Sequence, residues 1–330
     1  MDWRAVPKVE LHLHLDCSLS YDVVSRIEPS ITRDEYQRRF VAPPKCADLT
    51  DYLTRAPSSF PLMQTEDQLR LVVQDLFGQL RKDGLLYAEI RFAPLLHTEG
   101  GLSPQGVVAA VDEAFAEGIH ETGVEARIIL CTLRYFSEEQ SLETVRLVEE
   151  FRGTNVVGFD IAADKPGDVF ADHISAFQYA RDQGIPFTAH AGETRGLENV
   201  RETVHRFAPS RLGHGVCSIR DPELLNLLRE RHIHLEACPT CNVQTDCYAT
   251  YADHPIDPLY RAGISIGVNT DTRAISNITL SQEYAKLHQT FGWQAKDFLR
   301  CNQYALEAAF ISDDVRAPLR PRLTNGYQLD

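Results

Sequence analysis

Long runs of any one kind are what this sequence lacks. Its 330 residues contain no cluster of Lys and Arg, and 33 basic against 47 acidic side chains leave a formal net charge of −14. Polynucleotides are held through their phosphates by clustered cations, so a nucleic-acid polymer is excluded as a partner. An anionic membrane surface is disfavoured for the same reason. No uninterrupted apolar stretch approaches the roughly 20 residues that a membrane-spanning helix needs. The opening segment MDWRAVPKVE carries no basic-then-apolar leader pattern. Eight cysteines are too few for a disulfide scaffold and read as reduced thiols, which points to the cytoplasm. Repeats of fixed period and low-complexity tracts are also missing. What remains, 43% hydrophobic and 24% charged, is an ordinary globular composition.

What is present is an alternation. Short apolar runs rich in Val, Ile and Leu occur at Val9–His14, Leu86–Phe92, Ala126–Leu133, Val156–Ile161, Pro186–Ala191, Arg211–Gly215, His232–Ala237 and Ile264–Thr270. Near-continuous apolar character is expected of parallel strands covered on both faces. Between them lie amphipathic stretches with helix start signals: Thr65 with Gln68, Ser103-Pro104, Ser137 with Gln140, and Asp221-Pro222. Eight such units in series predict an α/β fold, a (β/α)₈ TIM barrel. The segment Cys17–Thr65, with Pro43-Pro44 and Pro57, has too little alternation for another strand. It reads as a helical insertion between strands one and two, lying over the barrel mouth. Residues 1–330 are then one barrel domain rather than two domains. A doubly wound open sheet is the rival, but no glycine-rich phosphate loop follows an early strand.

Barrel active sites gather at the carboxyl ends of the strands. Strand one ends in His12-Leu13-His14-Leu15-Asp16, strand five in His190-Ala191-Gly192-Glu193, strand six in His214, and strand eight in Asn269-Thr270-Asp271. Residues i and i+2 of a strand share a face, so His12 and His14 point together into the mouth. Two imidazoles from one strand, a third from strand five and a carboxylate from strand eight match a catalytic zinc site with an open position. Three other patterns are decoys. His232 and His234 open their strand and so face the structural end of the barrel. Cys238 and Cys241, close behind His234-Leu235-Glu236, mimic a cytidine-type deaminase zinc set. Their order and crowding are wrong for one ion, and they read as buried thiols. Ser265, in Gly-x-Ser-x-Gly, lies mid-strand where no nucleophile elbow can form.

Taken in order and spacing, VELHLHLD, HAGE, RLGHG and NTD resemble the adenosine deaminase branch of the amidohydrolase superfamily, over nearly the whole chain. The resemblance implies one zinc per chain, bound by His12, His14, His190 and Asp271. It implies Glu193 as proton shuttle and His214 as the group that orients the attacking hydroxide. His14, Asp16, Ala163 and Thr272 form the expected substrate-facing set: Asp16 at the ribose 5′-hydroxyl, and Ala163, usually glycine, contacting the purine through its N–H. The implied reaction is hydrolytic deamination of adenosine or a related 6-aminopurine nucleoside, a small molecule, to the 6-oxopurine and ammonia. The same mechanism acting on aminodeoxyfutalosine, a 5′-substituted adenosine or adenine is the nearest alternative. A binding protein that kept the barrel and lost the reaction is a further one. Strand four, VVGFDIA, lacks the lysine that binuclear relatives carboxylate, which favours one metal.

Departures from the family pattern fall near the substrate. Thr272 stands where a second aspartate is usual, and a hydroxyl cannot supply a carboxylate's charge. Arg273 replaces a proline, Lys165 an acidic residue, and Cys17 a glycine. Read together, Thr272, Arg273 and Lys165 make the expected mouth less acidic and permit an acidic group on the substrate.

Overall fold

The computed structural model describes residues 2–164, 170–193 and 196–327. Lys165 lies outside the described residues. Among the described residues eight parallel strands are present: β1 (Lys8–His14), β2 (Leu85–Phe92), β3 (Glu125–Leu133), β4 (Val156–Ala162), β5 (Thr188–Ala191), β6 (Arg211–His214), β7 (His234–Ala237) and β8 (Ile266–Val268). They pair in sequence order as two four-stranded sheets, β1 to β4 and β5 to β8. Single parallel bridges join the sheets on both sides, Phe159 to Phe187 and Leu13 to Asp271. The fold is the expected TIM barrel, with helices between the strands around it.

Both joins are short for visible reasons. At the β4–β5 join Phe159 donates its N–H to Pro186 O at 3.0 Å, and a proline can return no N–H. At the β8–β1 join, side chains replace the ladder. Asn269 Oδ1 accepts from the N–H groups of Leu11 (2.8 Å) and His12 (3.0 Å), and Asn302 Oδ1 accepts from Val9 (2.6 Å). Glu10 Oε1 accepts from Thr270 N–H at 2.8 Å. Thus β8 is three residues long, rather than the seven of Ile264–Thr270. Above it the main chain pairs again: His14 N–H donates to Asp271 O at 2.8 Å, and Asp271 N–H to His12 O at 3.0 Å. This clamp seats Asp271 between the two histidines of β1.

The helix signals hold. Ser103 Oγ accepts from Gly106 N–H, Ser137 and Gln140 form a reciprocal capping box, and Asp221 accepts from Glu223 and Leu224. Thr65 accepts from Gln68 N–H at 3.3 Å, whereas the Gln68 amide turns back to Gln64 N–H. Between β1 and the helix Glu66–Lys82 run the short helices Tyr21–Ile27, Arg33–Phe40 and Leu49–Leu53. Leu49, Tyr52 and Ala56 from this stretch pack with Cys17, Cys238, Cys241 and Ile275 in a small apolar cluster of their own. That packing sets the helix Leu49–Leu53 against the carboxyl ends of β7 and β8. Among the described residues no helix is long and apolar enough to cross a membrane.

Candidate active site

The rim of the barrel is turned by unusual backbone. Ala163 after β4, His214 at the end of β6 and Asp271 after β8 all have positive φ, at 66°, 59° and 66°. A non-glycine residue in that left-handed region costs on the order of 1–2 kcal/mol. The turns send the chain sharply over the rim and leave these residues at the mouth.

His12, His14, His190 and Asp271 each offer a ligand atom, and these atoms all lie within 4.8 Å of one another. Asp271 Oδ1 is 3.3 Å from His12 Nε2 and 3.4 Å from His14 Nε2. His14 Nε2 and His190 Nε2 face each other at 3.2 Å. Carboxylates stand behind two of the rings and favour a proton on the nitrogen that faces them. His12 Nδ1 is 2.9 Å from Glu236 Oε2, and His190 Nδ1 is 3.1 Å from Asp160 Oδ2. A proton on His12 Nδ1 leaves the Nε2 lone pair of that ring aimed at the Asp271 carboxylate, and one on His190 Nδ1 leaves its Nε2 lone pair facing His14 Nε2. Among the described residues His12 Nε2, which is buried, has no hydrogen-bond partner. Converging lone pairs and a carboxylate repel one another unless a cation sits among them. The donor set of three imidazoles and a carboxylate suits a borderline divalent metal.

The carboxylates are held in turn. Arg91 Nη1 donates to Asp160 Oδ2 at 2.5 Å and Nη2 to Glu236 Oε2 at 2.8 Å, so one guanidinium joins both histidine–carboxylate pairs. Arg211 lies within ion-pair distance of Glu236 Oε1, at 2.8 Å, and of Glu89 Oε2, at 2.6 Å. Burial opposes charge on Glu236, yet Arg91 and Arg211 keep its carboxyl well below the usual range. Burial also opposes charge on Asp160, and there His190 and Arg91 prevail.

Glu193 and His214 stand beside the cluster. His214 Nε2 is 3.5 Å from Glu193 Oε2 and 3.8 Å from Asp271 Oδ2. Burial, and then the Asp271 charge, push the Glu193 carboxyl up to about 8. That places a protonated acid at neutral pH in the mouth. Gly213 is needed for this crowding, since a Cβ there would lie 2.8 Å from His12 Cε1 and 3.1 Å from His190 Cα. A small cavity of about 10 Å³ opens here, with Leu49, Ala163, Asp164, His190, Gly192 and Glu193 in its lining. Larger clefts of about 490 and 480 Å³ lie outside, between the insertion and the segment after β8, away from the histidine cluster.

The remaining expected residues divide. Asp16 is buried at the mouth: Ala93 N–H donates to Oδ2 at 3.4 Å, and burial pushes its carboxyl up to about 6. Thr272 is buried, and its Oγ1 hydrogen-bonds Tyr52 OH, which also meets Ser276 Oγ at 2.6 Å. Arg273 does not supply the positive charge expected of it at the mouth. Its guanidinium is buried away from the cavity, 2.9 Å from Glu10 Oε2 and 3.0 Å from Asp83 Oδ2. Two buried carboxylates attract it more strongly than a solvated rim would. The decoys also separate. His234 Nδ1 bonds Ser265 Oγ at 2.8 Å. The Cys238 and Cys241 thiols are buried as expected, but they are not remote: Cys241 Sγ lies 3.7 Å from Glu193 Oε1.

Sequence reasoning missed Arg91, Asp160, Tyr52 and Asn242, and took Glu236 only as part of a decoy. For the three charged ones a signal existed, namely an ionisable residue inside an otherwise apolar strand. A barrel with three imidazoles and a carboxylate converging at its mouth, beside a buried acid, is the architecture of a metal-dependent hydrolytic enzyme. The Adenosine deaminase family model matches residues 7–325. An adenosine deaminase of Enterococcus faecalis is 36% identical, covering 98% of each chain, and one of Vibrio atlanticus is 33% identical, covering 97% of this chain and 98% of the relative. The chain belongs to the adenosine deaminase family and is a hydrolytic deaminase of adenosine-like substrates. Two solved structures share the fold at 22% identity. Adenine deaminase from Arthrobacter aurescens has a TM-score of 0.88, covering 97% of this chain and 98% of its own. An amidohydrolase from Burkholderia ambifaria with bound Zn has a TM-score of 0.89, covering 98% and 91%.

Proposed function

We propose that this chain is a cytoplasmic zinc-dependent aminohydrolase, one barrel domain with one zinc per chain, that converts adenosine or a close 6-aminopurine nucleoside to the 6-oxopurine and ammonia. The observation that carries the reading is the convergence of His12, His14, His190 and Asp271 beside a buried Glu193. These four residues would hold the metal, which when bound supplies Lewis acidity that makes water a nucleophile near neutral pH.

The protein's own groups do the rest. Glu193, kept protonated by burial, donates its proton to purine N1 as oxygen adds at C6. Charge building on the ring is thereby neutralised. The carboxylate so formed takes the proton of the incoming water and passes it to the 6-amino group. The C6–N bond then breaks, ammonia leaves, and the C6 hydroxyl gives its proton back to Glu193, which restores the acid and leaves the 6-oxopurine. His214 holds the attacking oxygen in line through Nε2. Asp16 is assigned to the ribose 5′-hydroxyl, the Ala163 N–H to the purine, and His14 and Thr272 to the remaining substrate contacts. The Thr272 hydroxyl, shared with Tyr52, favours a second reading with the same mechanism: 5′-substituted adenosine, aminodeoxyfutalosine or adenine as substrate.

The test is ammonia release from adenosine, deoxyadenosine, adenine, methylthioadenosine and aminodeoxyfutalosine, with Glu193→Gln alongside. At least one substrate should turn over, and the variant should keep its metal while losing about 10²–10⁴-fold in kcat. Silence across the panel, or full activity in Glu193→Gln, refutes the proposal.

A further inference from the structure

A chain of hydrogen bonds reaches the back of the His214 ring, and it begins at a main-chain donor. The N–H of Ile256 lies 3.2 Å from His254 Nδ1. A backbone nitrogen can only donate, so Nδ1 is the bare nitrogen of that ring and the ring is neutral. Burial supports this, since it pushes His254 down to about 3. The single proton of His254 therefore sits on Nε2, which is 3.1 Å from Asn242 Oδ1. That contact orients the amide and places its NH₂ 3.1 Å from His214 Nδ1. An amide NH₂ has no lone pair to offer, so His214 Nδ1 accepts. The His214 proton is thus confined to Nε2, the nitrogen that faces Glu193 and Asp271. Each member of the chain is buried: His214, His254 and Asn242 are 0%, 1% and 1% exposed. Water is kept from reversing the direction.

We propose that His254 and Asn242 are positioning residues that make His214 a one-way hydrogen-bond donor toward the reacting centre. The polarity is set about two side chains away, by the turn that opens the helix Ile256–Arg261. His214 cannot accept a proton at Nε2 in this arrangement, so proton transfer falls to Glu193 alone. The assignment of that centre rests on the function proposed above, whereas the direction of the chain does not.

The decisive substitution is Asn242→Asp. A carboxylate at 242 accepts from both rings and would pull the His214 proton to Nδ1. Nitrogen NMR of ¹⁵N-histidine-labelled enzyme reads the tautomer directly. Wild type should show a protonated Nε2 at His214 and the variant a protonated Nδ1. kcat should fall by roughly 10–100-fold with KM and metal content little changed. A second pair guards against misfolding. His254→Gln keeps an N–H donor for Asn242 Oδ1 and should retain most of the activity, whereas His254→Phe removes it and should not. Retention of the Nε2 proton in Asn242→Asp overturns the proposal, as does equal loss in the two His254 variants. If wild type deaminates no aminopurine, the functional reading fails, and the NMR tautomer still decides the positioning role.

Discussion

Arg273→Met separates two accounts of the residue that follows Thr272. The substitution keeps most of the volume and removes the charge. The Arg273 side chain is 2% exposed, and its guanidinium bridges Glu10 and Asp83 at 2.9 and 3.0 Å. Removing one partner of a buried ion pair typically costs about 3–5 kcal/mol, because the other charge stays buried. Here two carboxylates are left, but neither is bare. Glu10 keeps its bond from Thr270, and Asp83 keeps those from the N–H groups of Leu280 and Ser281. The expected loss is therefore near the lower end, about 3 kcal/mol. That is a large part of a typical total of about 5–15 kcal/mol. For a chain this size the thermal midpoint should drop by roughly 4 °C. Because the side chain does not reach the cavity, kcat/KM for neutral and for anionic 6-aminopurine nucleosides should change by the same factor. Thermal unfolding and paired kinetics check both halves. An unchanged midpoint, together with selective loss on anionic substrates, would mean that Arg273 acts at the mouth and would refute the argument.

Other perturbations test other links. Gly213→Ala drives a methyl group into His12 and the His190 backbone. Metal affinity, measured by competition with a chelator, should fall by at least about 10-fold; unchanged affinity would show that the cluster can shift. Alkaline pH should destabilise the fold. Burial raises the thiols of Cys17, Cys131, Cys238 and Cys241 well above their ordinary value, Cys217 to about 11 and Cys247 to about 12. Below about pH 8 both states hold these protons. Above it the unfolded chain releases them and the fold cannot, a loss of about 1.4 kcal/mol per pH unit per thiol. Lys8, pushed down to about 8 by burial, works in the opposite direction but is one group against six. Urea unfolding between pH 8 and 10 should show falling stability, and a flat or rising profile would contradict the reading.

The barrel was legible because parallel strands buried on both faces write themselves as apolar runs, and all eight were found at close to their observed places. Their ends were less legible where side chains replace the ladder. Asn269 and Asn302 complete the β8–β1 join, and no pattern of hydrophobicity announces an amide acting as a strand. The histidine and carboxylate positions followed from the strand-end rule, and the structure gathers those residues into one cluster. What failed was inference from neighbours in sequence. Thr272 and Arg273 are adjacent, yet one bonds Tyr52 above the mouth and the other dives between Glu10 and Asp83. Tyr52 itself sits in a segment without periodicity, so only the folded chain could show that the insertion touches the strand-eight loop.

The left-handed turns at the rim divide these positions by how freely they can be altered. Each of Ala163, His214 and Asp271 holds the chain in a conformation that glycine would adopt without strain. At Ala163 the exchange is open: Ala163→Gly should stabilise the protein by up to about 1 kcal/mol and spare the main-chain N–H assigned to the purine. At His214 and Asp271 the same relief would delete the imidazole or the carboxylate. Stability and activity are separable at one strand end and locked together at the other two, so selection for heat resistance has one exit at this rim and not three.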